Sequence, residues 1–386
     1  MNHIEISDAI RYIGVDDTDI DLFESQYIVP NGVSYNSYVI LDEKIAVMDT
    51  VDARKTTEWL QNLATVLNGR TPDYLIISHL EPDHSGSILA FTKQYPDTTL
   101  VLSAKALAML PQFFALPEVS CTAVKEGDTL SLGSHTLTFV MAPMVHWPEV
   151  MVEYESSEKV LFSADGFGKF GALSHEEDWA CEARRYYFNI VGKYGAPVQT
   201  LLKKAASLDI QTICPLHGPI LTEDLAYYIG KYQTWSSYEP EDDGVLVAAA
   251  SIHGNTLEAA QKMAEILKEK GAKKVAFTDL SRDDMAEAVE DAFRYSKLVL
   301  ACATYDGGLF PPMEDFLHRL KHKAYQKRHV ALIENGSWAP IAAKCMAKEL
   351  EALKDITVCD TVVTIKSCLK EENIAQMKQA ADELLG

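Results

Sequence analysis

Short apolar runs alternate regularly with amphipathic segments in the part of the chain that follows residue 243. Five runs of strand length are each followed by a segment whose apolar positions recur every three or four residues. The predicted order is strand 244–250, helix 257–270, strand 274–279, helix 283–294, strand 298–303, helix 312–323, strand 329–333, helix 340–354, strand 357–365 and a last helix from about 370. This alternation predicts a doubly wound sheet of five parallel strands with helices between them.

The preceding part of the chain has a different pattern, in which short strands outnumber helices. The predicted elements there are a hairpin at 34–41 and 44–49, helices at 53–67, near 86–94 and near 104–115, strands at 74–77, 99–102, 119–124, 128–132, 136–142, 150–154 and 159–163, and a mostly helical segment at 176–206. An acidic segment with proline and glycine, residues 239–244, interrupts this pattern. We therefore predict two domains, residues 1–243 and 244–386.

One strand of the first domain ends in a group of side chains that can bind metal. His79, Glu81, Asp83 and His84 follow directly after the apolar run 74–77. Two imidazoles and two carboxylates suit a first-row transition metal better than magnesium or calcium. In an extended loop alternate residues point the same way, so we expect His79, Glu81 and Asp83 to converge and His84 to turn to a neighbouring point. A polar loop with helix-capping residues is the alternative, and four donors so close together disfavour it.

Three later apolar runs of the first domain also end in possible ligands, His146, Asp165 and His217. Each of these residues taken singly more often has a structural role. Together with the first group they supply four histidines and three carboxylates from four strand ends. This donor set is sufficient for two metal ions that share one bridging carboxylate.

Other polar residues of the chain are expected to lie outside the metal site. Asp49 ends a strand, and we expect it to cap the helix at 53–67 or to order groups behind the ligands. His135 lies in a polar turn. His318 and His322 share one helix face but have no third ligand beside them.

The helical segment at 176–206 is rich in aromatic residues, most of which we expect in the core. One of its tyrosines, Tyr186 or Tyr187, is a candidate hydrogen-bond or proton donor to the metal pocket. The role of His175, which precedes this segment, is left open by the sequence.

Three loops at strand ends of the second domain indicate a nucleotide site. They are formed by Ser251, Ile252, His253, Gly254, Asn255 and Thr256, by Thr304, Tyr305, Asp306, Gly307 and Gly308, and by Asn335, Gly336, Ser337 and Trp338. The first loop presents hydroxyls, an amide and backbone N–H groups at a helix N-terminus, which suits a phosphate monoester. It is neither a Walker loop nor a Gly-x-Gly-x-x-Gly motif. Small residues and an aromatic in the other two loops allow a planar ring to approach and stack, so the three loops together predict an FMN site.

Composition and charge argue against several classes of partner. The formal net charge of −21 disfavours general affinity for nucleic acid or anionic membranes. No run approaches the roughly 18 apolar residues of a membrane span, and the first residues lack a signal-peptide pattern. The seven cysteines include no Cys-x-x-Cys pair, so neither a disulfide framework nor a cysteine metal site is predicted. We expect a cytoplasmic protein.

These motifs together resemble the flavodiiron proteins over essentially the whole chain. The resemblance implies an α/β chain with an N-terminal metallo-β-lactamase-like αββα diiron domain, followed by a flavodoxin-like domain that binds FMN. It implies that one iron is held by His79, Glu81 and His146, the other by Asp83, His84 and His217, and that both are bridged by Asp165. Zinc hydrolases of this fold typically carry His-x-His-x-Asp-His, so the carboxylate of Glu81 favours iron.

The resemblance also implies partners. Because the chain has no Cys-x-x-Cys pair of a fused rubredoxin module, electrons are expected from a separate donor, which in this family is rubredoxin or, in some archaea, a deazaflavin. It implies a head-to-tail homodimer, or a dimer of such dimers, in which each flavin faces the irons of the partner.

The function predicted from the resemblance is reduction of O2 to water, of NO to nitrous oxide, or of both. The sequence does not decide between the two gases. One alternative is a zinc-dependent hydrolase of the metallo-β-lactamase fold fused to a flavodoxin-like domain, against which Glu81 argues. A second is an electron carrier whose first domain is structural, against which the complete set of seven ligands argues.

Overall fold

The computed structural model of the protein describes residues 6–116 and 118–386. Its contacts divide the chain into two compact units. The first contains the chain up to Tyr186 together with Ala196–Tyr232, and the second contains Tyr187–Gly195 together with Gln233–Gly386. This division falls before residues 243 and 244, where the domain boundary was predicted from composition. The boundary between residues 243 and 244 remains a prediction of where the second domain begins.

The first unit is built on two sheets. Its strands are β1 (Ile10–Tyr12), β2 (Val15–Asp17), β3 (Leu22–Phe23), β4 (Tyr27–Ile28), β5 (Val33–Tyr35), β6 (Tyr38–Ile40), β7 (Ala46–Met48), β8 (Tyr74–Ile77), β9 (Thr99–Ser103), β10 (Cys121–Val124), β11 (Thr129–Ser131), β12 (Thr136–Met141), β13 (Met151–Glu155), β14 (Val160–Phe162) and β15 (Thr212–Cys214). Sheet 1 has the order β1-β6-β7-β8-β9-β10, and sheet 2 has the order β11-β12-β13-β14-β15. Two short ribbons, β2-β5 and β3-β4, accompany them.

The two sheets pack face to face because alternate side chains of each strand point to the same side. One buried apolar cluster contains Ile76 and Val101 of sheet 1 together with Phe139, Met151 and Phe162 of sheet 2. Residues of the opposite parity are buried as well, which requires helices on the outer faces. This is the αββα sandwich that the resemblance implies.

The helices of the chain up to residue 236 are α1 (Thr56–Leu67), α2 (Pro82–Ser85), α3 (Ile88–Gln94), α4 (Ala104–Phe113), α5 (Trp179–Tyr186), α6 (Gly195–Ala205) and α7 (Leu225–Ser236). The segment predicted as mostly helical is interrupted between α5 and α6 by a π-helical turn, Tyr187–Val191, and a 3-10 turn, Gly192–Tyr194. Helix α7 was not predicted, because its apolar residues form no marked stripe.

The loop after β8 differs from the prediction. It was expected to be extended as far as His84, but Pro82–Ser85 forms the short helix α2. Proline is favoured in the first turn of a helix, since its fixed φ suits the helix and its missing N–H is not needed there. The rule of alternate side chains therefore holds only as far as Glu81.

The second unit confirms the predicted doubly wound sheet. Its elements are β16 (Asp242–Ala250), α8 (Asn255–Glu269), β17 (Val275–Asp279), α9 (Met285–Arg294), β18 (Tyr295–Tyr305), β19 (Gly308–Leu309), α10 (Pro311–His322), β20 (Arg328–Asn335), α11 (Ala342–Leu350), β21 (Ile356–Ile365) and α12 (Glu371–Leu385). Five parallel strands have the order β17-β16-β18-β20-β21, and β19 folds back antiparallel on β18. The strand order reverses between β16 and β18, and ligands of such sheets bind at the carboxyl ends beside that point.

Across the described residues, no helix is both long enough and apolar enough to cross a membrane.

A buried polar contact links the two sheets of the first unit beside the metal-binding loop. The Ser78 hydroxyl lies 2.6 Å from Asp49 Oδ2 and 3.0 Å from Glu153 Oε2. A hydroxyl has one proton and cannot donate to both carboxyl groups, so one of them must itself carry a proton. Burial, together with the charge of Asp49, raises the pKa of Glu153 well above its usual value. We infer that Glu153 is the neutral acid and donates to Ser78.

This inference predicts a pH-dependent effect of Glu153→Gln. The folded chain keeps a proton that the unfolded chain loses near a pKa of about 4.3, so the wild type loses stability as pH rises from there toward the folded pKa, by about 1.4 kcal/mol per pH unit. The amide that the substitution introduces cannot ionise, and it still donates to Ser78. The difference in thermal unfolding midpoint, variant minus wild type, should therefore be larger at pH 8 than at pH 5.

Glu155→Gln is the matched control on the same strand. The oxygens of Glu155 accept from the backbone N–H groups of Thr136, Ser157 and Glu158, so an amide there places a donor against donors. This variant should be less stable than wild type. If Glu153→Gln were destabilising by the same amount at pH 5 and pH 8, the assignment of the proton to Glu153 would be wrong.

Candidate metal centre and flavin pocket

Seven side chains from four strand ends of the first unit converge at one edge of the sandwich. His79 and Glu81 follow β8, and Asp83 and His84 lie on α2. The other three follow strands of sheet 2 and its neighbouring loops: His146, Asp165 and His217. The structure thus brings together the residues that the sequence pointed to, in two groups: His79, Glu81, His146 and Asp165, and Asp83, His84 and His217. Within each group the possible ligand atoms all lie within 4.8 Å of one another.

In the first group, a carboxylate oxygen faces each histidine. Glu81 Oε2 lies 3.2 Å from His79 Nε2 and 3.0 Å from His146 Nε2. Asp165 Oδ2 lies 3.4 Å from His79 Nε2 and 3.3 Å from His146 Nε2. The expectation that Asp83 converges with His79 and Glu81 is wrong, because α2 turns Asp83 toward the second group.

The second group is arranged in the same way. Asp83 Oδ2 lies 3.2 Å from both His84 Nε2 and His217 Nε2. The other oxygen of Asp165, Oδ1, lies 3.1 Å from His84 Nε2 and 3.7 Å from His217 Nε2. Asp165 therefore turns one oxygen to each group, which is the arrangement required of a bridging carboxylate.

The donor atoms of this cluster have the properties expected of metal ligands. Six of the seven side chains are buried, and Glu81 is partly exposed. Within the described residues, several of their buried polar atoms have no hydrogen-bond partner of good geometry, namely both oxygens of Asp83 and Asp165 and the Nε2 atoms of His84, His146 and His217. Buried polar atoms normally have partners, so this set fits a site that holds cations.

The charges of the cluster balance one another strongly. Burial alone would raise the pKa of Asp165, but the charge of His84 and contacts with the other histidines hold it well below its usual range. Burial opposes charge on His79, yet hydrogen bonds with Glu149 and Glu81 raise its pKa to about 9. Burial likewise opposes charge on His146, but its contacts with Asp165 and Glu81 raise its pKa to about 10. The pocket therefore favours positive charge at the point where the carboxylates meet.

Two groups hold ligand imidazoles from behind, and the sequence analysis missed both. The carboxylate of Glu149 lies 2.8 Å from His79 Nδ1 and also accepts from the backbone N–H of Leu80. The backbone oxygen of Ser34 lies 2.7 Å from His217 Nδ1. Such contacts leave Nε2 of each ring to face the cluster. Glu149 lies shortly after His146, but the sequence does not indicate that it would turn to His79.

An open cavity of about 390 Å³ adjoins the cluster, and Glu81 and Asp83 form part of its wall. Glu24, from the turn between β3 and β4, also lines it. Burial, and then the charge of Glu81, raise the pKa of Glu24 to about 7. No signal in the sequence distinguished Glu24 from an ordinary turn residue.

Tyr186 is the tyrosine that lies beside the ligands. It is buried, and its ring centre is 5.4 Å from that of His217. Tyr187 instead packs against Phe188 and Trp235 in the second unit.

The remaining candidates lie apart from the cluster. Asp49 accepts from the backbone N–H and hydroxyl of Ser78, so it orders the start of the ligand loop, and the helix-capping role falls to Asp52. His135 lies between Asp42 and Glu158 in a separate ion-paired turn. His175, His318 and His322 are exposed, and within the described residues no third donor joins the last two.

A second cavity, of about 540 Å³, opens at the carboxyl ends of the parallel strands in the second unit. All three predicted loops line it, through Ser251, Ile252, His253, Asn255, Thr256, Thr304, Tyr305, Asp306, Gly307, Asn335, Gly336, Ser337 and Trp338. Gly254 and Gly308 do not line it. Gly254 supplies a left-handed turn into α8 with φ of +96°, and Gly308 pairs with Tyr305 as part of β19.

The loops that line this cavity differ in character. Ser251 and the buried Thr256 flank the N-terminus of α8, whose first N–H groups have no partner within the helix. Trp338, in the loop after β20, is 91% exposed and therefore accessible to a ligand. A polar loop at a helix N-terminus and an aromatic loop suit a phosphate and a planar ring.

The flavin prediction needs two adjustments of detail. The Thr304 hydroxyl accepts from the N–H groups of Ile341 and Ala342, so it is already used to hold the start of α11. Ser367 was missed, although it lines the cavity and lies 2.8 Å from Ser337, hydroxyl to hydroxyl. Its position just after β21 was the available signal, because the carboxyl ends of parallel strands meet at one edge.

Comparisons with known proteins agree with this description. A family model described as ODP family beta lactamase matches residues 33–218. An uncharacterised protein of Methanocaldococcus jannaschii is 30% identical over 382 residues, which cover 96% of this chain and 95% of that protein. The anaerobic nitric oxide reductase flavorubredoxin of Vibrio vulnificus is 27% identical over 347 residues, covering 87% of this chain and 70% of that protein.

Among solved structures, the rubredoxin oxygen:oxidoreductase of Desulfovibrio gigas matches with a TM-score of 0.93 and 26% identity. The match covers 100% of this chain and 98% of that chain. The matched region therefore extends through both units. On these grounds the chain belongs to the flavodiiron proteins, oxidoreductases that carry a diiron site and FMN.

Proposed function

We propose that this protein reduces O2 to water, NO to nitrous oxide, or both, with iron held by the seven-residue cluster and FMN held in the second unit. The observation that carries the proposal is the position of Asp165, whose two oxygens each face a different pair of histidines. A single carboxylate placed in this way suits two metal ions held side by side, and a diatomic substrate suits two adjacent ions.

The residues proposed to hold the ions are the two groups described above. The negative charges of three carboxylates would balance most of the positive charge of two divalent ions, and the four imidazoles would bind as neutral ligands. Such a carboxylate-rich ligand set suits iron that changes oxidation state. Bound ferrous iron supplies electrons and an attachment point for the gas, and FMN supplies the means of restoring those electrons.

The chain itself orients the ligand imidazoles, limits the access of water and supplies protons. Glu149 and the carbonyl of Ser34 keep Nε2 of His79 and of His217 turned to the cluster. Burial of the ligands limits water to the side of the open cavity. Both gas reductions consume protons, and Glu24 lies on the wall of that cavity, where burial and the nearby charge of Glu81 raise its pKa and place it to take up and release a proton.

The alternative of a zinc hydrolase is disfavoured by Glu81. Its carboxylate stands where hydrolases of this fold typically have a histidine, and it contacts both His79 and His146. A third carboxylate in the cluster favours harder ions than zinc. Metal analysis of the purified protein distinguishes the two functions.

Electrons are proposed to reach FMN from a separate donor protein or cofactor of the rubredoxin or deazaflavin type. A donor of this type is what the resemblance to the flavodiiron proteins implies, and residues 1–386 contain no Cys-x-x-Cys pair of their own. We further propose a head-to-tail homodimer, in which the flavin of one chain serves the irons of the other.

Asp165→Ala removes the proposed bridge and should abolish turnover of both gases by the chemically reduced protein. Iron affinity should fall by more than about 100-fold, since both groups lose a ligand, while FMN content is unchanged. The measurements are anaerobic turnover with each gas, side by side, and metal analysis. Asp209→Ala, which removes an exposed aspartate paired with Lys159, is the control and should behave as wild type. Normal iron content and activity in Asp165→Ala would exclude the diiron assignment.

A second prediction concerns phosphate capture by the first loop of the flavin pocket. The double variant Ser251→Ala, Thr256→Ala removes two hydroxyls from that end of the cavity, at about 1.5–3 kcal/mol for each bond to a charged group. FMN affinity measured by fluorescence titration should therefore fall at least about tenfold, with iron content unchanged. Ser281→Ala removes a hydroxyl of the same unit that does not line the cavity, and it is the control. Retention of FMN by the double variant through extensive dialysis would contradict the loop assignment.

The head-to-tail dimer is tested by mixing two inactive chains under conditions that exchange subunits. One chain carries Asp165→Ala, and the other carries the Ser251→Ala, Thr256→Ala pair. A mixed dimer has one intact flavin facing one intact iron site, so random exchange should restore about a quarter of wild-type activity. Mixed dimers that are verified by mass but stay inactive would show that electrons pass within one chain.

A further inference from the structure

A small apolar cavity of about 30 Å³ lies between the outer face of sheet 2 and helix α6. The sheet contributes Val140 and Leu161 to its wall, and the helix contributes Val198, Leu201 and Leu202. It belongs entirely to the first unit and is separate from the open cavity that adjoins the metal cluster.

The inner wall of this cavity is formed by the loops that carry two proposed iron ligands. Val145 lines it and directly precedes His146. Gly166 and Phe167 line it and directly follow Asp165. A molecule in this cavity would therefore lie behind the backbone that positions the bridging carboxylate and one histidine.

Water is poorly suited to this space. Its lining has two hydroxyl groups, and both already have partners: Ser163 donates to the carbonyl of Gly166 at 2.6 Å, and Tyr232 accepts from the N–H of Phe167 at 2.6 Å. A buried water needs two to four polar partners, and empty cavities in proteins are apolar ones that take up xenon or small apolar ligands. The remaining wall consists of Val, Leu, Ala, Phe and Gly residues, whose side chains offer no further partner.

The size of the cavity limits the ligand to a very small molecule. One water molecule requires a cavity volume of roughly 10–15 Å³. A cavity of about 30 Å³ therefore admits one diatomic molecule but no larger organic compound. An uncharged diatomic gas loses little on leaving water and gains contacts with apolar walls, as apolar ligands do in preformed dry pockets.

The wall of the cavity on the helix side is partly exposed. Val198 and Phe167 are buried, whereas Leu201, Leu202, Ala205 and Leu208 are half-buried and line the same cavity. The apolar wall thus continues from buried residues beside the ligand loops to the partly exposed side of α6.

We propose that this cavity binds O2 or NO and supplies the gas to the metal centre from behind the loops of His146 and Asp165. The supply role rests on the proposed function, whereas binding of an apolar gas does not. Supply through this apolar cavity keeps the route of the gas apart from the open cavity that is lined by Glu24, Glu81 and Asp83. The open cavity is then the side from which protons and water enter.

Xenon is the probe, because it binds apolar cavities without reaction. Crystals of the wild-type protein pressurised with xenon should show a xenon atom in contact with Val198 and Phe167. Val198→Phe fills the cavity and should remove this atom, and Val198→Ala enlarges the cavity and should raise the xenon occupancy. Leu202→Phe fills it from the half-buried side and serves if Val198→Phe does not fold. Thr200→Phe adds the same ring on the exposed face of α6 and should leave the xenon site unchanged.

Kinetics then test supply. In protein loaded with iron and FMN, Val198→Phe or Leu202→Phe should raise KM for the gas several-fold, with kcat at saturating gas and the contents of iron and FMN unchanged. Thr200→Phe should leave KM unchanged.

The outcomes separate the two proposals. Absence of xenon from the wild-type cavity would overturn gas binding, whatever the activity. A bound xenon atom that Val198→Phe removes, with KM unaltered, would overturn supply. If the loaded wild-type protein turned over neither gas, the proposed function and with it the supply role would fail, while the xenon experiment would still decide whether the cavity binds an apolar gas.

Discussion

The convergence of three carboxylates and four imidazoles in one largely buried pocket is the constraint that the first unit is built to satisfy. Carboxylates this close repel one another, and burial removes the water that would otherwise screen them. In the structure the histidines compensate, which is why the pKa of Asp165 is held well below its usual range and that of His146 is raised. Cations at the same position would replace the protons and satisfy the donor atoms that have no hydrogen-bond partner of good geometry.

The two-sheet scaffold holds these groups in place through contacts that the ligands do not make themselves. Ser78, one residue before His79, is tied to Asp49 of sheet 1 and Glu153 of sheet 2. Around His217, the Asn36 side chain donates to the carbonyls of Pro215 and Gly218. Each of these two ligand loops is therefore fixed by buried hydrogen bonds to a neighbouring strand end.

The flavin pocket of the second unit uses the same principle with a different chemistry. Parallel strands end at one edge, and the loops there share a single cavity. Asn335 at the end of β20 exchanges hydrogen bonds with the backbone of Ser367 after β21, so the two loops are held together before any ligand binds. In both units, residues far apart in sequence meet because strand ends are neighbours in the sheet.

The sequence by itself determined which residue types lie at the strand ends. It also determined that strands and helices alternate in the second unit. Apolar periodicity reports burial directly, so the five parallel strands and the positions of His146, Asp165 and His217 after apolar runs were readable. The assignment of ligands to two irons came from family resemblance, and the local spacing rule alone grouped Asp83 wrongly. That rule assumed an extended loop, whereas Pro82 begins a helical turn.

Only the tertiary structure decided which of Asp165's oxygens faces which histidines, that Glu149 holds His79 from 70 residues away, and that Glu24 lines the cavity beside Glu81. It alone revealed the dry cavity under α6, whose walls come from strands and a helix separated by many residues. The physical reason is that these features depend on distances and directions between elements. A linear pattern records whether a side chain is buried, but it does not record what the side chain is buried against.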